Sequence, residues 1–347
     1  GFGCRCGRLH HAGDFTLSNA VAHYAPDLTL EPVHLDIALK LDIAAAHCEA
    51  VVTTTVLARA DGADQLTLHG VDFRDVEVRS SDVAHQYDGR EIKLTWKKPL
   101  SAGEKRDVTV RYLLRKPSTG LHFSAPTEAY PESPFFAGTD NESERARHWL
   151  ACVDLPSVRP TLTYHLTSRA DLTFLANGIL VSEEIHGEEK TSHWELKQPC
   201  PSYLACFAVG EFVRRDDGEV AGVPMASFAT QNFTEADLER SFGKTPQIME
   251  WLTTRLDHPF PYPKYYQIAL PGIGGAMENI SLTTWDDKFV CDASVHRELE
   301  WLVDLVNVHE MAHSYFGDLV VCRDFAHAWL KESWATYMQQ CFAQECL

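Results

Sequence analysis

From residue 28 to residue 212 the chain keeps returning to apolar side chains at every second position, and a period of two demands extended strands with one buried face. Val33, Leu35, Ile37, Leu39, Leu41 and Ile43 form the longest such row. Shorter rows recur at 51–57, 92–96, 108–113, 162–166, 172–175 and 204–212, divided by Gly, Pro, Asp and Asn punctuation such as Asn177-Gly178. A β domain is expected here. The polar, turn-rich run 214–219, followed by Gly222 and Pro224, is the expected boundary, because the period then changes. A helix is expected over 235–256, with Leu238, Phe242, Ile248, Met249 and Leu252 as its apolar positions and Pro246 as a break or kink. Pro259, Pro261 and Pro263 stiffen the connection into a strand at 266–270, and two more helices are expected at 298–317 and 325–344. The resulting division is a frayed terminus at 1–15, a β-rich domain at 16–217 and a second domain at 218–347.

Charge narrows the function. With 31 Lys and Arg against 49 Asp and Glu, the net charge of −18 repels phosphate backbones, so nucleic acid is not an expected partner and amine-bearing ligands suit the chain better. No apolar run reaches the ~18 residues a membrane span needs, and 1–11 lacks a secretory pattern, so a cytoplasmic protein without a membrane partner is expected. The ten cysteines lack the dense, even spacing of a disulfide scaffold and are expected to be mostly buried thiols. Cys4, Cys6, His10 and His11 are too irregularly spaced to read as a metal site.

His309-Glu310-Met311-Ala312-His313 lies inside a helix-period pattern supplied by Leu302, Leu305, Val306, Ala312 and Phe316. Residues four apart sit one turn above each other, so both imidazoles leave the same helix face and can share an ion, with Glu310 beside it as a base. Eighteen residues separate His313 from Glu332, which lies in Trp329-Leu330-Lys331-Glu332-Ser333-Trp334-Ala335 on the next helical pattern. An antiparallel return helix would bring that carboxylate to the ion as third ligand and leave a fourth position for water. The rival reading, two core histidines and a surface carboxylate, would bury charge with no metal to compensate it.

Upstream, Pro271-Gly272-Ile273-Gly274-Gly275-Ala276-Met277-Glu278-Asn279 offers a glycine-rich edge that an extended peptide can approach. G-A-M-E-N followed by H-E-x-x-H-x18-E resembles the aminopeptidase N family of zinc metallopeptidases, within the thermolysin-like gluzincins. The resemblance runs back through 201–212 and 154–159 and covers the chain from about residue 15 onward. It implies an α+β, multidomain protein: a β-rich, saddle-like N-terminal domain followed by a partial thermolysin-like α/β catalytic domain. It further implies one Zn²⁺ per chain on His309, His313 and Glu332, with Glu310 catalytic. By the same match, Glu278 and, from the β domain, Glu142 hold the substrate's α-amino group, while Gly274, Gly275 and Ala276 line its backbone.

The implied substrates are peptides with a free N-terminus, losing one residue at a time. The alternative is a truncated or degenerate homologue serving as a zinc- and peptide-binding scaffold. Thermolysin-type endopeptidase action and epoxide hydrolysis, as in some relatives, are weaker rivals. Truncation enters because the family's oxyanion-stabilising tyrosine lies several tens of residues past the third ligand, whereas Leu347 is fifteen residues past Glu332 and Tyr315 and Tyr337 lie too near the metal helices. Losing such a donor costs about 10²–10³ in rate. A missing C-terminal domain or partner chain is therefore expected. Ser314, Tyr315, Lys331 and Ser333 depart from common family residues, and none is expected to touch a ligand; the sequons at Asn141, Asn232 and Asn279 are read as chance.

Overall fold

The structure, a computed structural model, describes residues 28–347, so the expected frayed terminus with Cys4, Cys6, His10 and His11 lies outside the described residues. The alternating row becomes Leu30–Asp42, the longest described strand, whose inward positions Leu35, Ile37, Leu39 and Leu41 are all buried. It pairs antiparallel with His47–Ala58 and parallel with Thr161–Arg169. These three lie within a seven-stranded sheet ordered Ile179–His186, Glu189–Leu196, Thr161–Arg169, Leu30–Asp42, His47–Ala58, Lys105–Arg115, Arg74–Val78. A three-stranded sheet (Ala63–His69, Glu91–Leu100, Val83–Tyr87) shares its core, in which Trp96, Trp149, Tyr112 and Tyr164 are enclosed. Tyr112 keeps its polar tip satisfied there by donating to the Trp149 carbonyl at 2.8 Å and accepting from the Ala151 amide at 3.0 Å.

A four-stranded sheet, ordered Thr173–Ala176, Phe207–Gly210, Phe136–Asp140, Gly120–Ser124, leads towards the second half of the chain. The expected strand at 204–212 is divided: Ser202–Leu204 is a 3₁₀ turn, Phe207–Gly210 a strand, and Phe212 opens the next strand. The run 214–219, near the expected boundary, is itself extended. It lies within Phe212–Val220, an edge strand whose polar residues mostly face water, and it returns through Ala221-Gly222, both at positive φ, into Val223–Thr230. Phe212–Val220 and Val223–Thr230 begin a five-stranded sheet that continues through Tyr265–Leu270, Leu282–Asp286 and Ala276–Met277.

The helix expected over 235–256 is two. In α1 (Glu235–Phe242), Thr234 accepts from the Asp237 amide while the Asp237 carboxylate accepts from the Thr234 amide, a reciprocal cap. Pro246 lies in the first turn of α2 (Thr245–Leu256), where a missing N–H costs no helical bond, so it starts a helix instead of kinking one. Helix α3 (His296–His313) stops four residues short of the expected Gly317, and α4 (Trp329–Cys346) runs to the penultimate residue. No described helix is long and apolar enough to cross a membrane. All eight described cysteines are free, and six of them are buried.

The β-rich half and the five-stranded half are joined by buried polar groups. Asn177, read from sequence as turn punctuation, is fully enclosed: its amide nitrogen donates to the carbonyls of Leu204 at 3.0 Å and Ile280 at 2.6 Å, and its oxygen accepts from Tyr164 Oη and the Cys206 amide. Gly178 beside it holds φ +78, and a Cβ there would strike the Glu195 carbonyl. The buried Lys264 ammonium spans the same seam, donating to the carbonyls of Ala176 and Ser281. Asn177→Ala leaves four buried partners without their bond, so denaturant unfolding should show a loss of about 3 kcal/mol or more. A change within experimental error would remove Asn177 from this structural role.

Candidate metal centre and the carboxylate pair beside it

Helices α3 and α4 return on each other through the turn 314–328, and this antiparallel pair carries the pentad and Glu332. His309 and His313 project from one face of α3, with ring centroids 4.7 Å apart and their Nε2 atoms at 3.0 Å. Glu332 Oε2 lies 3.2 Å from His309 Nε2 and 3.4 Å from His313 Nε2. The three donors thus form a small triangle. Ligands about 2.0–2.1 Å from a tetrahedral zinc stand roughly 3.3–3.4 Å from one another, so these separations and this two-imidazole, one-carboxylate set fit zinc. His313 Nδ1 lies 2.9 Å from the Phe316 carbonyl, the contact that fixes Nδ1 as donor and turns the Nε2 lone pair towards the triangle.

Glu310 is buried next to the triangle, and its Oε2 has no hydrogen-bond partner. Burial, reinforced by Glu278 and Glu332 and opposed by His313, pushes its carboxyl up to about 8. Burial also acts to raise Glu332, but hydrogen bonds from the two imidazoles outweigh it and hold that carboxyl far below its usual range. For His313, burial acts downward, yet Glu278 and Glu332 prevail and lift the imidazole to about 10.

Glu278 follows Ala276–Met277, the edge strand of the five-stranded sheet, which pairs with Leu282–Asp286 on one side alone. The glycine turn before it is held by Asp286, whose carboxylate accepts from the Gly274 amide at 2.9 Å and whose own amide donates to the Gly275 carbonyl. Gly272 and Gly274 both take φ near +80, and added Cβ atoms at Gly274 and Gly275 would meet nothing, so the turn faces open space. Glu142 arrives from the β-rich half, in the loop after Phe136–Asp140. Its neighbour Asn141 anchors that loop by donating to the Ala205 carbonyl at 2.5 Å and accepting from Trp149 Nε1 at 2.8 Å. With their side chains buried, Asn141 and Asn279 cannot carry the glycans their sequons formally permit.

Glu142, Glu278 and Glu332 offer oxygens within 4.8 Å of one another, so the structure brings all these site residues together. It also corrects one expectation. Lys331 was not expected to touch a ligand, yet its Nζ lies 2.6 Å from Glu278 Oε1, 2.7 Å from Glu142 Oε1 and 2.5 Å from Glu332 Oε1. In the first turn of α4 its long stem folds back over Tyr203 and Gly317 into the cleft. Burial opposes its charge, but Glu278, Glu142 and Glu332 more than compensate and hold the ammonium above the usual lysine range. Burial and Glu278 together raise Glu142, whereas His313 and Lys331 overcome burial and lower Glu278. The signal in the sequence is the Lys331 departure itself; its charge, placed one residue from a ligand, needs a partner.

Two family models match the chain, the Peptidase M1 N-terminal domain over residues 31–204 and the Peptidase family M1 domain over residues 240–347. Among curated proteins, the puromycin-sensitive aminopeptidase of Caenorhabditis elegans is 29% identical over 76% of this chain and 28% of its own length. Aminopeptidase N of Lactobacillus delbrueckii subsp. lactis is 32% identical over 58% of this chain and 24% of its own length. The chain thus spans about a quarter of these relatives. An M1 zinc metallopeptidase from Deinococcus radiodurans superposes with TM-score 0.75 at 24% identity, covering 91% of this chain and 71% of its own, which shows a shared fold. A mutant of that protein bound to a Tyr-Ser-Ala substrate superposes at 0.74 with 23% identity, covering 92% of this chain and 73% of its own.

In the metal-free chain the Glu278 and Glu332 carboxylates favour a protonated His313 at neutral pH, and an imidazole must give up the Nε2 proton to ligate. Zinc loading at neutral pH should therefore release protons, and apparent affinity should rise with pH through neutrality. Calorimetry in two buffers of different ionisation heat reads this; zinc uptake without proton release would contradict the assignment.

Proposed function

Because this chain belongs to peptidase family M1, we propose that it carries the hydrolytic centre of a zinc-dependent aminopeptidase, which removes the N-terminal residue of peptides. The observation that carries the reading is the triangle of His309, His313 and Glu332 donors with an unpartnered Glu310 carboxylate at its side. A zinc ion held by these three residues would supply a more acidic water and polarisation of the peptide carbonyl.

Glu310 supplies the proton traffic. As carboxylate it takes a proton from the attacking water, and the acid so formed hands that proton to the departing amine. Its buried setting suits both directions, since a carboxyl lifted towards neutrality is neither too weak a base nor too weak an acid. The edge strand Ala276–Met277 leaves backbone groups free for an extended peptide, and the open turn at Gly274 and Gly275 lets that peptide come close. Glu278 and Glu142 then mark where the chain end stops. That this pair already grips one ammonium, that of Lys331, supports its reading as an amine pocket. Fixing the first nitrogen fixes the distance to the first carbonyl, which is what makes an exopeptidase.

Glu310→Gln keeps the shape and removes the base. It should lower peptide hydrolysis by about 10²–10⁴-fold while one zinc per chain remains bound by elemental analysis. Bound zinc with no hydrolysis even by the unaltered protein would favour the alternative, a zinc- and peptide-binding scaffold.

A further inference from the structure

One edge of the seven-stranded sheet is Arg74–Val78, which pairs on one side alone, with Lys105–Arg115. Arg74 faces Leu113 and Glu77 faces Arg111, so three steps along the edge strand match two along its neighbour, and one extra residue bulges out. Successive residues of a regular strand point to opposite faces, yet here Arg74 and Asp75 line the same cavity, of about 680 Å³. The neighbouring strand does likewise at its end, where Arg115 and the next residue, Lys116, both line that cavity. Asp72, Asp75 and Lys116 hold φ of +59, +50 and +46, left-handed backbone that L side chains rarely adopt, so the chain bends sharply at three places around one space.

Three cations therefore line one cavity, and among the described residues neither Arg74, Arg115 nor Lys116 has an ion-pair partner, although Asp72 and Asp75 share the lining. Other arginines of the same region are answered, Arg79 by Glu77 at 3.4 Å and Arg111 by Glu49 at 3.6 Å. Guanidinium groups offer paired N–H donors that match the oxygens of a phosphoryl or carboxylate group. Burial, together with Arg147, lowers the proton affinity of His148, so that wall adds a neutral ring at neutral pH, while Ser118 adds a hydroxyl. The volume is that of a small-molecule site, and Leu114 and Pro117 give it some apolar surface. A long polyanion is repelled by the net charge of −18, whereas a small one inside the cavity meets these cations at a range where salt screens little. We propose that this cavity binds a small organic oxyanion, a molecule bearing a phosphoryl or carboxylate group, through Arg74, Arg115 and Lys116. The site uses neither the metal triangle nor Glu142 and Glu278, so it stands apart from the proposed aminopeptidase function.

The test titrates the full chain by calorimetry with glycerol 3-phosphate, with propane-1,2,3-tricarboxylate and with uncharged glycerol. At least one of the two anions should bind with a Kd of about 1 mM or tighter while glycerol does not, and the tighter anion tells a phosphoryl site from a carboxylate site. Arg74→Gln and Arg115→Gln should each weaken that binding about tenfold, and Lys98→Gln, an exposed lysine outside the cavity, should leave it unchanged. Arg74, Arg115 and Lys116 are all exposed, so these variants should fold, and Lys116→Gln is a third variant should either arginine variant melt early. Two results overturn the proposal. One is that neither anion binds at about 10 mM. The other is binding that persists undiminished in the cavity variants, which would place the anion elsewhere, such as beside Lys331.

Discussion

Seven ionisable side chains, Glu142, Glu278, Glu310, Glu332, His309, His313 and Lys331, share one partly buried cleft, and their mutual compensation is the constraint to which the rest of the structure answers. Charges taken out of water are costly unless each meets an opposite charge or a directed hydrogen bond. Here the imidazoles answer one oxygen of Glu332, and the ammonium answers its other oxygen together with Glu142 and Glu278. Glu310 Oε2 is fully buried and has no partner. That unanswered acceptor lies beside the three converging nitrogen and oxygen atoms of His309, His313 and Glu332.

Compensation of this kind needs parts from distant stretches of chain, which explains the seam between the two halves. Asn177 and Lys264 tie the β-rich half to the backbone near Ile280 and Ser281, three residues or fewer beyond Glu278. Arg159 donates to the Asp318 carbonyl at 2.9 Å, and Tyr203 to that of Gly317, both just past the end of α3. Loop 141–145 can then present Glu142 at hydrogen-bond distance from a lysine 189 positions away, because Asn141 is already locked to Ala205 and Trp149.

Much of this is legible without any fold in hand. Alternation over 33–43 announces the central strand, and the i, i+4 histidines announce a shared helix face, because period and side-chain direction are local properties of the backbone. The irregular stretches have equally local causes: residues 214–219 lack apolar alternation because an edge strand facing water needs none, and the helix expected over 235–256 is broken beside Pro246, where Gly243 ends the first helix and the proline sits in the first turn of the second. Lys331 escapes a reading of spacing for another reason. A lysine stem of four methylenes reaches in any of several directions, and sequence spacing says nothing about which is chosen.

The sequence by itself determined that His309 and His313 share one face of a helix with Glu310 between them and that Glu332 opens the next helix, because i, i+4 spacing is a local property of the backbone. Its resemblance to a known family implied two carboxylates for an ammonium. Tertiary structure alone decided whose ammonium meets them. Tyr203, Gly317, Glu142 and Glu278 come from four separate parts of the chain, and the cavity that draws Lys331 inward exists only when all four have been brought around it.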